Sequence, residues 1–185
     1  MDDGRCEIRL SGAGGQGLIL AGLILAEAAG IYDGKNVVQT QSYGPEARGG
    51  ASRSEVIISE EEIDYPKVVN PDILLALTQE ACDKYYRELK KDGVLIVDSF
   101  YVKKVPSHRN LICLPITSIA EKEVGRKLVA NIVALGILTE FTGIVSKEAI
   151  KKAVLRRVPK GTEKINERAL GVGFRIGREE KKHLN

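Results

Sequence analysis

The run Ser11-Gly12-Ala13-Gly14-Gly15-Gln16-Gly17 constrains this chain more than any other stretch. Before it, Glu7–Ser11 alternates into an apolar strand. Behind it, Gln16–Ile31 carries Leu18, Ala21, Leu25 and Ala28 on one helical stripe. Strand, glycine turn and helix in that order open a dinucleotide-binding unit. Gly12 permits the tight turn, Gly14 removes a Cβ from a ligand's path, and Gly17 lets the helix approach the sheet. Unpaired amides at the helix start, with the dipole behind them, favour an anion such as phosphate. The pattern alone leaves open a nicotinamide cofactor, another phosphate, or no ligand.

A nicotinamide cofactor needs an acid on the ribose, at the end of the second strand. The second strand, Val37–Tyr43, reads Val-Val-Gln-Thr-Gln-Ser-Tyr and has no such acid. The nearest cation, Lys35, precedes it, so nothing replaces the acid for a 2′-phosphate. A stand-alone Rossmann-type NAD-binding dehydrogenase is therefore the rival reading.

Downstream, Ser52–Ser59 reads as a strand with no helix on either side, which predicts antiparallel pairing. Ile73–Leu77, Val94–Val97 and Leu111–Leu114 read as short buried strands, and Thr78 caps a helix over Gln79–Lys90. From Ile116 the pattern is helical. Ile119–Val124 and Lys127–Phe141 are two helices, or one broken at Gly125. Ser146 caps Lys147–Arg156, and Thr162–Ile176 is amphipathic but weakened by Gly171 and Gly173. The charged tail Gly177–Asn185 is expected to fray. The alternation predicts an α/β fold: a three-layer α/β/α, Rossmann-like domain over 1–185, with a mostly parallel mixed sheet.

A chain of 185 residues can support its own core, and 43% hydrophobic with 29% charged residues is a globular composition. A net charge of +3 gives no reason to expect nucleic acid or an anionic membrane as partner. The longest apolar run, Leu128–Leu138, is interrupted by Asn131 and Gly136 and falls short of a membrane span. The first residues show no secretory pattern. Cys6, Cys82 and Cys113 are odd in number and far apart, so they read as small buried hydrophobes in a reducing cytoplasm. His108 and His183 read as solvated surface. Tyr65-Pro66 reads as a turn and Asp98 as the cap of the following turn. No Ser-His-Asp, Cys-His or HExxH constellation is visible, so the chain is expected to hold no metal and no catalytic residue of its own.

A second unusual stretch, residues 41–53, leaves the carboxyl end of the second strand, where doubly wound sheets bind ligands. Its glycines permit close approach, while Glu46, Arg48 and Arg53 supply charge for an anion or a partner surface.

Four motifs in order carry a family resemblance: G-A-G-G-Q-G, Q-S-Y-G-P-E-A-R-G-G-A, Tyr65-Pro66, and Asn131-Ile-Val-Ala-Leu-Gly136. Together they resemble the gamma subunit of 2-oxoacid:ferredoxin oxidoreductases, with the Y-G-P-E-A-R-G-G form most similar to the 2-oxoglutarate branch. The resemblance implies a complex that decarboxylates a 2-oxoacid, joins the acyl group to coenzyme A and passes electrons to ferredoxin. It implies alpha, beta and delta subunits as partners, with thiamine diphosphate, magnesium and iron–sulfur clusters held there and no cofactor bound by this chain alone. The indolepyruvate, branched-chain and pyruvate members of the family stay open as alternatives. On this resemblance Gly12, Gly14, Gly15, Gln16, Gly17, Ser42, Gly44, Arg48 and Asn131 are candidate contacts to coenzyme A, a co-substrate bearing a pyrophosphate and a 3′-phosphate. Gln16 and Ser42 would donate hydrogen bonds and Arg48 would neutralise phosphate. Asn131 is either a hydrogen-bonded packing residue or a residue facing the ligand cleft.

Overall fold

The computed structural model describes residues 4–42 and 51–184. Six strands form one mixed sheet: β1 (Arg5–Gly12), β2 (Asn36–Ser42), β3 (Ser52–Ser59), β4 (Ile73–Ala76), β5 (Val94–Asp98) and β6 (Asn110–Leu114), in the order β2-β3-β1-β4-β5-β6. β1, β4, β5 and β6 run parallel; the inner strands β1, β4 and β5 are buried along their central runs, as parallel sheets require, while the edge strand β6 buries only Ile112. β3 is antiparallel to both β1 and β2, so it inserts between them. The antiparallel pairing expected for Ser52–Ser59 is thus present, but β2 is not the immediate neighbour of β1.

Helix α1 (Leu18–Glu27) follows the glycine loop and ends in a π turn over Ala28–Tyr32. Its close approach to the sheet is made by Gly22. A Cβ there would lie 1.9 Å from Ser54 Oγ and 2.8 Å from Ser54 Cβ. Helix α2 (Gln79–Tyr85) is shorter than expected, because a 3-10 turn replaces its last part. Its cap is Thr78, whose hydroxyl accepts from the Ala81 amide. Helix α3 (Ile116–Ile119) continues as a π turn to Val124 and stops at Gly125, whose φ is 92°. Helix α4 (Ala130–Thr142) is separate from it and is buried along its length from Ala130 to Thr139.

Helices α5 (Lys147–Arg157) and α6 (Glu163–Leu184) complete the fold. The expected frayed tail is instead the last turns of α6. Gly136, Gly173 and Gly177 account for it. A Cβ on Gly173 would lie 2.3 Å from the Val133 carbonyl, and one on Gly177 would lie 2.8 Å from the Ile137 carbonyl. The two backbones are therefore in contact, and Arg178 reaches Glu140 on α4 while Arg175 pairs with Glu123.

The two faces of the sheet are unequally covered. Helices α1, α4, α5 and α6 pack the larger core on one face. The other face is covered by α2 and by Ala51, Leu89 and Val102. On that thinner side Arg9 is fully buried. Its guanidinium pairs with Glu55 at 2.7 Å and Glu88 at 2.5 Å and stacks on Tyr85. Two carboxylates and an aromatic face compensate a charge that is otherwise costly to bury.

Candidate functional site

The sheet has a topological switch between β1 and β4, because α1 and α2 pack on opposite faces. Ligands of open α/β sheets bind in the crevice outside the strand ends at such a point. The glycine loop lies there. Gly12 closes β1 where a Cβ would strike Gln16 Oε1 at 2.3 Å and Leu18 Cδ1 at 2.8 Å. Gln16 folds back so that Oε1 accepts from the Ala13 amide at 2.8 Å, which leaves its Nε2 as the remaining donor. Ser52 Oγ donates to the Gly12 carbonyl, and the Leu77 amide donates to the Ser11 carbonyl. Gly15 and Gly17 have φ of 86° and 73°, in the left-handed region where glycine is least strained.

Gly14 differs from its neighbours. Its φ is not positive, and a Cβ placed on it meets nothing within 4 Å. The space above it is an open hollow of about 230 Å³, walled by Ala13, Gly15, Leu18, Ile19 and Ser52. Helix α1 begins beneath this hollow with no side-chain cap and no acid in its first turn. Its first amides and the positive end of its dipole are left for an anion.

A second hollow of about 320 Å³ adjoins the loop and reaches across the crevice. Gly15, Gln16 and Leu77 form one side, with Tyr101, Lys127 and Leu128 on the other. Asp98 holds part of this wall. It is fully buried at the end of β5 and accepts from the Phe100 amide at 3.0 Å and from the Thr117 amide at 3.1 Å, with Thr117 Oγ1 as a third donor. Asp98 is thus a cap, as expected, and it fixes both Thr117 and the turn bearing Tyr101. Sequence reading did not single out Tyr101, Thr117 or Lys127. The available signal was a lysine followed by a leucine, Lys127-Leu128, set directly before the apolar helix α4, and both side chains prove to be exposed.

The structure brings together Gly12, Gly14, Gly15, Gln16, Gly17 and Asn131. Asn131 is 4% exposed and donates from Nδ2 to the Gly17 carbonyl at 3.0 Å, so it tethers the loop to α4. A Cβ on Gly17 would meet that Nδ2 at 2.5 Å, so Gly17 makes room for Asn131, while the helix–sheet approach expected of it belongs to Gly22. Ser42 shares the loop's sheet edge but lies two strands from β1. It pairs with Arg53, which pairs with Ser11, at roughly 10 Å from β1 by strand spacing. Gly44 and Arg48, with the rest of the Y-G-P-E-A-R-G-G motif, lie outside the described residues.

The remaining candidates are structural. Burial pushes the Cys6 thiol up to about 12 and the Cys82 thiol up to about 11, so both stay protonated and unreactive at neutral pH. Cys113 is exposed. His108 is half-buried rather than solvated: Nε2 lies 2.8 Å from the Gly93 carbonyl, and the ring packs edgewise on Tyr86. Among the described residues no group of three or more His, Cys, Asp or Glu converges to hold a metal, and no helix is long and apolar enough to cross a membrane.

Residues 7–176 match the family model for pyruvate ferredoxin/flavodoxin oxidoreductase. The 2-oxoglutarate synthase subunit KorC of Methanocaldococcus jannaschii is 56% identical over 178 residues, covering 95% of each chain. A crystal structure of a keto/oxoacid ferredoxin oxidoreductase gamma subunit from Geobacter sulfurreducens superposes with a TM-score of 0.87 at 57% identity, covering 96% of this chain and 98% of that one. A 2-oxoglutarate:ferredoxin oxidoreductase from Magnetococcus marinus, solved with 2-oxoglutarate, coenzyme A and succinyl-CoA bound, superposes with a TM-score of 0.79 at 25% identity. That match covers 98% of this chain and 32% of the longer one.

Proposed function

Since the chain belongs to the pyruvate ferredoxin/flavodoxin oxidoreductase family, as a gamma-type member, we propose that it is the gamma subunit of a 2-oxoglutarate:ferredoxin oxidoreductase and that its glycine loop receives the pyrophosphate of coenzyme A. The observation that carries this reading is the hollow over Gly14, which lies above an uncapped helix start at the switch of the sheet. The bound coenzyme A of the Magnetococcus marinus relative supports the choice of ligand. The choice of 2-oxoacid rests on the KorC relatives. A nicotinamide cofactor fits less well. β3 separates β2 from β1, and the end of β2 carries no acid for a ribose.

In this reading the chain binds and orients, and the bond-making groups sit on partner chains. Decarboxylation and electron transfer fall to thiamine diphosphate with magnesium, and to iron–sulfur clusters, on alpha, beta and delta subunits. The donor set here suits no cluster, since four thiolates are the usual requirement and two of the three thiols are buried and protonated. The α1 amides would meet the pyrophosphate, and Gln16 Nε2 would add a neutral donor beside it. Asn131 would keep the loop seated while the ligand exchanges.

Gly14→Val tests the reading in the assembled enzyme. The new side chain has room in the fold but occupies the hollow. The KM for coenzyme A should rise about tenfold or more, as for the loss of a charge-assisted contact, while the KM for 2-oxoglutarate stays put. An assembled enzyme with both values unchanged would show that the loop is only structural.

A further inference from the structure

The edge of the sheet opposite the glycine loop carries its exposed charges in two separate groups. β1, β4, β5 and β6 start on this edge, at Arg5, Ile73, Val94 and Asn110, and β3 ends on it, where Ser59 pairs with Arg5. The chain leaves β3 through Glu61, Glu62 and Asp64, which are all exposed and have no ion-pair partner among the described residues. Glu60 beside them is taken by Lys35 at 3.0 Å. The other end of the edge is basic. Arg87, Lys91 and Arg109 stand around an open hollow of about 360 Å³ with Tyr86 and His108, and no carboxylate lines its wall. That wall is fixed: Tyr86 Oη donates to the Ser107 carbonyl at 2.8 Å, and His108 Nε2 lies 2.8 Å from the Gly93 carbonyl. Arg109 has Asp92 at 3.6 Å, but the two side chains are 81% and 85% exposed, and such a contact is easily exchanged. From β3 to β6 is four strand spacings, about 19 Å.

Between the two groups the edge is apolar. Tyr65 and Val69 are 54% and 52% exposed, two of the five large hydrophobic side chains exposed among the described residues. Both are pinned at the start of β1. Arg5 Nη2 donates to the Tyr65 carbonyl at 2.9 Å, and the Val69 amide donates to Glu7 at 2.9 Å. The Lys90 amide donates to the Pro71 carbonyl, so this stretch leads directly into the basic group.

An acidic end, an apolar middle and a basic end form a self-complementary row. A two-fold axis along the sheet normal, through the middle, reverses the row in the second copy. Each acidic end then meets a basic hollow, and the apolar stretches meet near the axis. An axis along the row would set like charges against each other, which is costly. We propose that this edge is the contact surface for a second copy of this chain, with Glu61, Glu62 and Asp64 of each copy seated at the basic hollow of the other. The edge faces away from the glycine loop, so pairing leaves the loop open and does not depend on what the loop binds.

Sedimentation equilibrium of the full chain reads the pairing. Wild type should form a dimer that weakens as salt is raised. Glu61→Lys with Glu62→Lys should weaken it about tenfold or more, and so should Lys91→Glu with Arg109→Glu, because each double variant sets like charges together at both contacts. Tyr65→Ser keeps every charge and should weaken the dimer about tenfold by opening the apolar middle. The decisive arm mixes the two charge-reversed variants. Reversed acids then face reversed bases at both contacts, so the mixture should form a heterodimer about as tight as the wild-type dimer, which also shows that both variants are folded. A wild type that stays monomeric overturns the proposal. So does a dimer that either double variant or Tyr65→Ser leaves intact, which would place the contact elsewhere, and so does a mixture that stays monomeric.

Discussion

Gly171 and Gly173 stand two residues apart in α6, and their replacement by alanine should move stability in opposite directions. At Gly173 a Cβ would lie 2.3 Å from the Val133 carbonyl, 2.8 Å from Gly136 Cα and 3.0 Å from the Ile137 amide nitrogen. All three are backbone atoms of α4, which is packed on every side and cannot yield locally. Restoring an ordinary contact of about 3.4 Å means separating the helices by roughly 1 Å and thinning the dispersion contacts along the whole seam. Overpacking of this kind costs about 3 kcal/mol. Alanine returns about 1 kcal/mol of helix propensity, so the net loss is about 2 kcal/mol. For a domain of this size that lowers Tm by about 4–8 °C. At Gly171 a Cβ meets nothing within 4 Å, the residue is exposed, and φ is not positive. There only the propensity gain acts, about 0.5–1 kcal/mol, and Tm should rise by about 2 °C. Calorimetric or denaturant unfolding of the two variants beside wild type reads both effects. Shifts of the same sign would refute the backbone-contact explanation of the α4–α6 seam.

Asp98→Asn should cost about 2 kcal/mol in urea unfolding, because an amide nitrogen would then face donors at Phe100 and Thr117. Thiol labelling at pH 8 should modify Cys113 in the folded protein and reach Cys6 and Cys82 only on unfolding. The raised thiols also fix a pH trend. Cys6 holds its proton up to about 12 when folded but only to its ordinary 9.0 when unfolded. The fold then binds more protons in that window. Its contribution is complete below pH 9 and is lost as pH rises through 9 to 12, and the denaturant midpoint should fall accordingly.

The glycine turn itself was legible because a run of glycines between a strand and a helix leaves a strong local signature. The antiparallel role of Ser52–Ser59 was legible too, since no helix flanks it. What composition could not show were contacts between distant segments. Gly173 read as a helix weakener and Gly136 as an interruption of an apolar run, and Gly22 and Gly177 carried no signal of their own, yet each marks a place where another backbone or side chain occupies the position of a Cβ. Gly177–Asn185 was expected to fray because it is charged. Its charges sit outside a seam that Gly177 closes against α4. Ser42 looked adjacent to the loop because a doubly wound sheet usually places β2 beside β1. The insertion of β3 is a matter of pairing, and no local pattern reports it. The crevice wall was missed for a similar reason. Tyr101, Thr117 and Lys127 come from three separate segments, and buried Asp98 ties two of them together.

The most direct measurement is a structure of the assembled enzyme with coenzyme A bound. The pyrophosphate should lie over Gly14, within hydrogen-bond reach of the first amides of α1. A coenzyme A whose phosphates touch other chains and leave residues 12–17 bare would contradict the central claim.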